Sequence, residues 1–228
     1  MEKEDALLTK EEQEVALILH RCQVNQFSRT GFLGAHHAEH PDAPPMPDYI
    51  QTANLYSFPA DAWRVAEIFA GRFGARLKVE CDLIMDVPRA STPFVAYVAV
   101  LTGIPMIMPQ YESKQRGIDS PFTGVWVSGQ RVGIIDGVKN TGLSLRKAIA
   151  HCRKHRLVPT FAGAITDRGT DEEEFIDGVP SGSLLRWRRA LDFYESESDI
   201  PADLIDASRQ YPDVFRRYLW VKNHADGK

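Results

Sequence analysis

The sequence is short of several things, and each shortage excludes a class of protein. It carries only three cysteines in 228 residues, Cys22, Cys81 and Cys152. Scattered and odd in number, they argue against a disulfide framework and for a reducing compartment, the cytoplasm. No apolar run approaches the roughly 20 residues of a membrane-spanning helix. The acidic, polar start MEKEDALLTKEEQE does not read as a secretory signal. Charge is nearly balanced, with 27 Lys and Arg against 31 Asp and Glu, so no global field favours nucleic acid or a membrane surface. Internal repeats are missing, and so is the Gly-x4-Gly-Lys-Ser/Thr spacing of a Walker loop.

What remains has ordinary globular composition, 43% hydrophobic and 25% charged, in a chain long enough to bury roughly 70% of its unfolded surface. Thr9 and Glu12 form a capping-box pattern ahead of the helical stretch EEQEVALILHRC. A long segment rich in Gly, Pro and His, NQFSRTGFLGAHHAEHPDAPPMPDYIQ, has no clear period and reads as loop with short extended pieces. PADAWRVAEIFAGRFG reads as a helix started by Pro59, capped by Gly74, with Trp63, Ala66, Ile68 and Phe69 facing inward. From residue 78 apolar strands alternate with helices: VECDLIMDV, STPFVAYVAVLTG, IPMIMP, RVGIID, SLRKAIAHCRKH and TFAGAIT. That alternation predicts an α/β fold with a parallel sheet covered on both faces. SLLRW is a last strand or a turn, RRALDFYES a helix, and PADLIDASRQYPDVFRRYLWV helical with a break before Pro212.

Ligands of such sheets bind beyond the carboxyl ends of the strands, where residues 88–92, 136–144 and 167 onward should converge. In RVGIIDGVKNTGLSL a strand delivers Asp136, and Asn140, Thr141, Gly142, Leu143 and Ser144 lead into a helix. Backbone N–H groups at such a helix start favour a phosphate monoester. The Thr141 and Ser144 hydroxyls add donors, Gly142 permits close approach, and an ionised Asp136 accepts from sugar hydroxyls. Residues 131–156 hold seven Lys or Arg and one acid, read either as a solvated face or as a field for an anionic ligand.

VGIIDGVKNTGLS resembles the ribose-5-phosphate signature of the type I phosphoribosyltransferases, and within that superfamily the chain looks most like orotate phosphoribosyltransferase. The resemblance covers roughly residues 47–185 and rests on the order and spacing of several loops. It implies a Rossmann-like type I fold with a small N-terminal hood: an N-terminal helix and base-side hood over residues 1–75, the core over 76–185 and a C-terminal helical segment over 186–228. The family's diphosphate loop is matched by Asp86, Val87, Pro88, Arg89, Ala90 and Ser91, with family glycines replaced. Its mobile loop is matched by residues 110–117, keeping Lys114 and Gly117 and substituting Arg116 for a histidine. The strand ending AITDRG places Arg168 where the family contacts the carboxylate of orotate, and an arginine fork suits a carboxylate. Where the family carries two adjacent acids, this chain has Asp136 and Gly137.

By that resemblance the chain would transfer ribose 5-phosphate from phosphoribosyl pyrophosphate (PRPP) to orotate. Mg²⁺, Lys114, Arg116 and Arg89 would steady the leaving diphosphate, Asp136 would hold the ribose, residues 140–144 the 5-phosphate, and Arg168 the base. A homodimer is implied, with no nucleic acid or membrane partner. Two other readings stay open: transfer to another base, and a non-catalytic member of the fold that binds PRPP or a nucleotide as a regulator. Asp119 is a candidate to replace the acid lost at 137. His36, His37, Glu39 and His40 match no established zinc spacing and read as an exposed insertion near the base pocket, so no protein-held metal is assigned. Cys81 and Cys152 read as inert core residues, Trp63 and Trp126 as packing. The acids at 171–174 read as a helix start.

Overall fold

A computed structural model describes residues 7–112, 119–169 and 175–225. The chain divides into two compact units, Thr52–Trp187 and a smaller one built from Met1–Gln51 with Arg188–Lys228. These limits differ from the boundaries expected at 75/76 and 185/186, because the helix beginning at Pro59 packs with the sheet and the terminal segments pack with each other.

The larger unit is a seven-stranded sheet. It uses β3 (Leu83–Asp86), β4 (Met106–Pro109), β5 (Phe122–Thr123), β6 (Arg131–Lys139), β7 (Val158–Asp167), β8 (Phe175–Ile176) and β9 (Val179–Arg186), numbered after the ribbon strands β1 (Asn25–Phe32) and β2 (Met46–Ile50) of the smaller unit. The order is β5-β4-β3-β6-β7-β9-β8; the five central strands are parallel and the two short edge strands antiparallel. Short, nearly continuous apolar strands need cover on both faces. On one face α4 (Leu143–Lys154) lays Leu145, Ala148, Ile149 and Cys152 against Met85, Val132, Ile134 and Ala162. On the other, α2 (Pro59–Glu80) and α3 (Thr92–Thr102) bring Phe69, Phe73 and Phe94 into edge and tilted contacts, and Phe161 meets Phe73 at 5.2 Å.

Three local expectations are corrected. Helix α2 does not stop at Gly74; that residue is buried inside it, opposite Thr102 of α3. Strand β6 runs three residues past Asp136, because β7 continues beside it and Lys139 pairs with Asp167 across the ladder. Of the two readings of SLLRW, the strand holds for Ser183, Leu184, Leu185 and Arg186 inside β9, and Trp187 opens the next helix. Trp63 is half-buried rather than core, bonded to Glu67 and edge-on to Tyr97; Trp126 packs on Phe122.

The smaller unit holds α1 (Lys10–Arg21), the antiparallel β1–β2 ribbon, most of α5 (Trp187–Glu197) and α6 (Ala202–Ala225). The capping box forms as expected: the Glu12 N–H donates to Thr9 Oγ1 and the Thr9 N–H to Glu12 Oε2. Such a cap contributes about 1 kcal/mol. Tyr194 of α5 is fully buried; its hydroxyl donates to the Ala16 carbonyl at 2.7 Å and accepts from Asn25 at 2.6 Å, joining three elements. Helix α6 carries Pro212 inside it without a break. It is held before the proline by Arg209, which pairs with Asp192, Glu195 and Asp206, and beyond it by aromatic contacts. The histidine segment is not an exposed insertion: His37 is buried, and His36 lies tilted against Phe215 and bonds to Tyr211 of α6. Among the described residues no group of three or more His, Cys, Asp or Glu is arranged to hold a metal, and no helix is long and apolar enough to cross a membrane. All three cysteines are buried and unpaired with one another.

Candidate active site at the carboxyl edge of the sheet

The turn after β6 is built as a phosphate cradle. Gly142 caps α4 with φ +74°, a left-handed backbone that a side chain adopts only at a cost of about 1–2 kcal/mol. It receives the chain from β6 and turns it into α4, so that Asn140, Thr141, Leu143 and Ser144 stand exposed around the helix start. The N-terminal amides of α4 have no carbonyl of their own helix to bond, which suits an anion. A hollow of about 70 Å³ is lined by Asp136, Val138, Lys139 and the residues from Asn140 to Leu145. The hollow is small and lies at the helix start, which suits a phosphate group.

Asp136 stands inside β6, half-buried, with its carboxylate accepting from the Gly137 N–H at 2.7 Å. Burial pushes its carboxyl up to about 7; the Gly137 and Val138 N–H groups pull it down, and the charge of Asp86 adds to the rise. The acid whose charge acts on Asp136 is therefore Asp86; Asp119 is exposed. Asp86 closes β3 at 1% exposure and is raised by burial, with the Thr92 hydroxyl bond acting against that. Gly137 has a steric reason: a Cβ there would lie 2.7 Å from Thr52 Oγ1 and 2.9 Å from its Cγ2.

The segment matched to the diphosphate loop is braced by side chains. The Thr92 hydroxyl donates to Asp86 Oδ2 and the Ser91 hydroxyl to the Val87 carbonyl. From the 3₁₀ turn Thr52–Ser57, the Tyr56 hydroxyl donates to the Ala90 carbonyl at 2.6 Å. The Pro88–Arg89 peptide is cis. Arg89 and Ala90 are exposed, and Ser91 is fully buried. The Val87 and Ala90 carbonyls of this loop are thus tied down, while Arg89 is exposed. Tyr56 was not singled out in the sequence; its only signal there was an aromatic residue shortly before a helix start.

At the ends of β6, β7 and β9 lies an ion cluster that sequence reasoning also missed. Lys139, 4% exposed, pairs with Asp167 at 3.0 Å, and Arg186 reaches the same carboxylate oxygen at 3.2 Å. The other Asp167 oxygen accepts the Gly169 N–H, and the Arg168 N–H donates to the Lys139 carbonyl at 2.7 Å. The two strand ends are therefore locked where the phosphate turn departs. The Arg168 guanidinium sits 5.8 Å from the Trp187 ring centre, a cation–π distance.

The basic run at 131–156 is largely consumed by structure. Arg131 pairs with Asp82, Lys139 with Asp167, Arg146 with Asp177, and Arg153 donates to the Asp177 carbonyl. Lys147 and Lys154 face a wider crevice of about 590 Å³ with Val87, Pro88, Tyr111 and His151, which meets the small hollow at Ser144. Arg89, Ala90 and Ser91 and the set Asp136, Asn140, Thr141, Gly142, Leu143 and Ser144 belong to one unit, at the ends of the neighbouring strands β3 and β6, and Arg168 follows at β7. Lys114 and Arg116 lie outside the described residues, as do the acids at 171–174.

No protein-family model matches the chain. It is 28% identical over 148 residues to the orotate phosphoribosyltransferase of Caenorhabditis elegans, covering 64% of this chain and 65% of that protein. It is 28% identical over 183 residues to the enzyme of the same name from Rhizobium leguminosarum bv. trifolii, covering 76% and 78%. The chain thus spans about two thirds to three quarters of these relatives. The transcriptional regulator GfcR of Methanoculleus marisnigri is 27% identical over 108 residues, 46% of this chain and 52% of its own. Among solved structures, the UMP synthase of Leishmania donovani superposes with a TM-score of 0.72 at 22% identity, over 88% of this chain and 42% of that one.

Proposed function

We propose that this chain, which has the type I phosphoribosyltransferase fold and is most like the orotate phosphoribosyltransferases, transfers ribose 5-phosphate from PRPP to orotate. The products would be orotidine monophosphate and pyrophosphate, a step of pyrimidine nucleotide synthesis in the cytoplasm. The observation that carries the reading is the Gly142 turn, whose hollow takes a phosphate group beside the Asp136 carboxylate.

The residues divide the work. Amides at the start of α4, with Thr141 and Ser144, would hold the 5-phosphate. Asp136 would accept from the ribose hydroxyls once ionised, and fixing the sugar supplies orientation, a large share of such catalysis. Arg89 would face the diphosphate from the braced loop, joined by Lys114 and Arg116 on the strength of resemblance alone. Arg168, whose guanidinium lies 5.8 Å from the Trp187 ring centre, would take the carboxylate of the base. The site fits a divalent cation: Asp86 and Asp136 are both held up by burial, no cation pairs with either among the described residues, and Asp86 Oδ1 is buried without a partner. Mg²⁺ bound with PRPP would neutralise charge on the leaving diphosphate. A homodimer is part of the same proposal.

Titration calorimetry with Mg²⁺ and PRPP, with orotate added and product assayed in the same sample, tests the reading. Binding with orotidine monophosphate formed supports it. Absence of binding removes it. A second reading, a non-catalytic PRPP or nucleotide binder, is favoured by the lost carboxylate at 137 and by the likeness to a transcriptional regulator; binding without turnover on any base would select it.

A further inference from the structure

We propose that the second acid of this site has been relocated rather than lost: Asp86, at the end of β3, supplies the negative charge that position 137 no longer carries, and Thr52 fills the space that position has given up. This deepens the PRPP reading and rests on it.

Four observations converge. The first is steric. Thr52 is 4% exposed, and its side chain stands where a side chain at 137 would begin, with three of its atoms within 3.0 Å of an added Cβ. An aspartate cannot enter there while Thr52 stays. The second is register. Asp86 of β3 is the parallel partner of Ile135 of β6, and the Val87 N–H donates to the Ile135 carbonyl. Residues two apart on a strand share a face, so Asp86 lies on the face of the sheet toward which residue 137 would point. It is the carboxylate next door on that face.

The third observation is an unmet bond. Asp86 Oδ2 accepts from Thr92, but Oδ1 is buried with no partner. Buried polar atoms without partners are few in native proteins and have a reason when they occur. If Asp86 served only to anchor α3, one oxygen would suffice and an asparagine or threonine would do the same without a buried charge. The fourth is reach. Asp86 acts on Asp136 through its charge, so the two acids bracket the strand ends from opposite faces and share the field that a ribosyl diphosphate with its divalent cation would enter. The other ionisable groups that feel Asp136 are Tyr56, from the 3₁₀ turn, and Tyr111; Lys139 is committed to Asp167.

Asp86 is thus a positioning residue: it acts through Asp136 and through the charge of the site. The test is calorimetric binding of Mg²⁺ with PRPP from pH 6 to 8, with melting temperature checked, for wild type, Asp86→Asn, Thr52→Gly/Gly137→Asp and the triple variant. Asparagine keeps the acceptor for Thr92, so the loop stays anchored. The expected result for Asp86→Asn is weaker binding at pH 8 by roughly tenfold or more, with the midpoint of the pH profile moved below that of wild type, because Asp136 ionises more easily without a like charge beside it. The triple variant, with an acid restored at 137, recovers most of the affinity. A merely structural Asp86 would change stability without moving that midpoint. Wild-type binding with an unchanged affinity and midpoint in Asp86→Asn overturns the relocation and leaves the PRPP reading standing. An affinity loss that the triple variant fails to recover also overturns it. No binding by wild type removes both.

Discussion

Two loops at the same sheet edge hold themselves in opposite ways. The turn after β6 is open at its tip, with exposed hydroxyls and a left-handed glycine, and is locked only at its root, where Lys139 meets Asp167. The loop after β3 is pinned along its length by Asp86, Ser91, Thr92 and Tyr56. The first keeps Asp136, Thr141, Gly142 and Ser144 at the spacing of the signature it resembles and can leave its amides to a ligand. The second carries Arg89, Ala90 and Ser91 rather than glycines, and the side chains of Tyr56, Ser91 and Thr92 fix its backbone. A binding loop can be made ready either by leaving its donors unspent or by spending side chains on its carbonyls.

The comparison can be broken at the root first. Lys139→Met leaves the buried Asp167 carboxylate with Arg186 and the Gly169 N–H, and removing one member of a buried pair costs about 3–5 kcal/mol. Urea unfolding measures it, and an unchanged midpoint would mean the root is not locked. Next, Asp136→Asn should lower kcat/KM roughly a hundredfold with little change in melting temperature. A similar loss follows from acid alone. Asp136 holds its proton up to about pH 7, so a ligand that needs the carboxylate must expel that proton below pH 7. Affinity should then fall about tenfold per unit of pH under that point and level off above it. Calorimetry in buffers of differing ionisation enthalpy counts the released proton.

Smaller effects sharpen the contrast between the loops. Gly142→Ala forces a side chain into φ +74° and should cost about 1–2 kcal/mol of stability, with weaker binding of inorganic phosphate. Tyr56→Phe removes one bond from the pinned loop, about 0.5–1.5 kcal/mol. It should weaken pyrophosphate binding several-fold while inorganic phosphate binding at the other turn stays level. Equal losses for both anions would show that the two loops are not independently braced.

The alternation of short apolar strands with helices was enough to read the parallel sheet, and the Asn-Thr-Gly-Leu-Ser run was enough to read the helix start at α4. Local signals carried both: periodicity and a glycine at a turn. What the sequence hid are pairings between distant positions. Lys139 reads as one of seven basic residues around the turn, beyond the strand's expected end at Asp136, and only the neighbouring strand reveals that it is buried against Asp167. Gly137 reads as a missing acid until Thr52 is seen over it. Gly74 reads as a helix stop, although α2 runs through it to Glu80 and packs it opposite Thr102 of another helix. Pro212 reads as a break, although contacts on either side hold α6 through it.

The contact between Thr52 and Gly137 also constrains how this chain can change. Regaining an acid at 137 by a single substitution meets a wall of threonine atoms, and trimming Thr52 alone opens a buried gap with nothing to fill it. Each reversal is unfavourable without the other, so the pair behaves as a ratchet. A library of single variants would score both positions as intolerant and miss that the double variant is open, whereas a pairwise scan would find it.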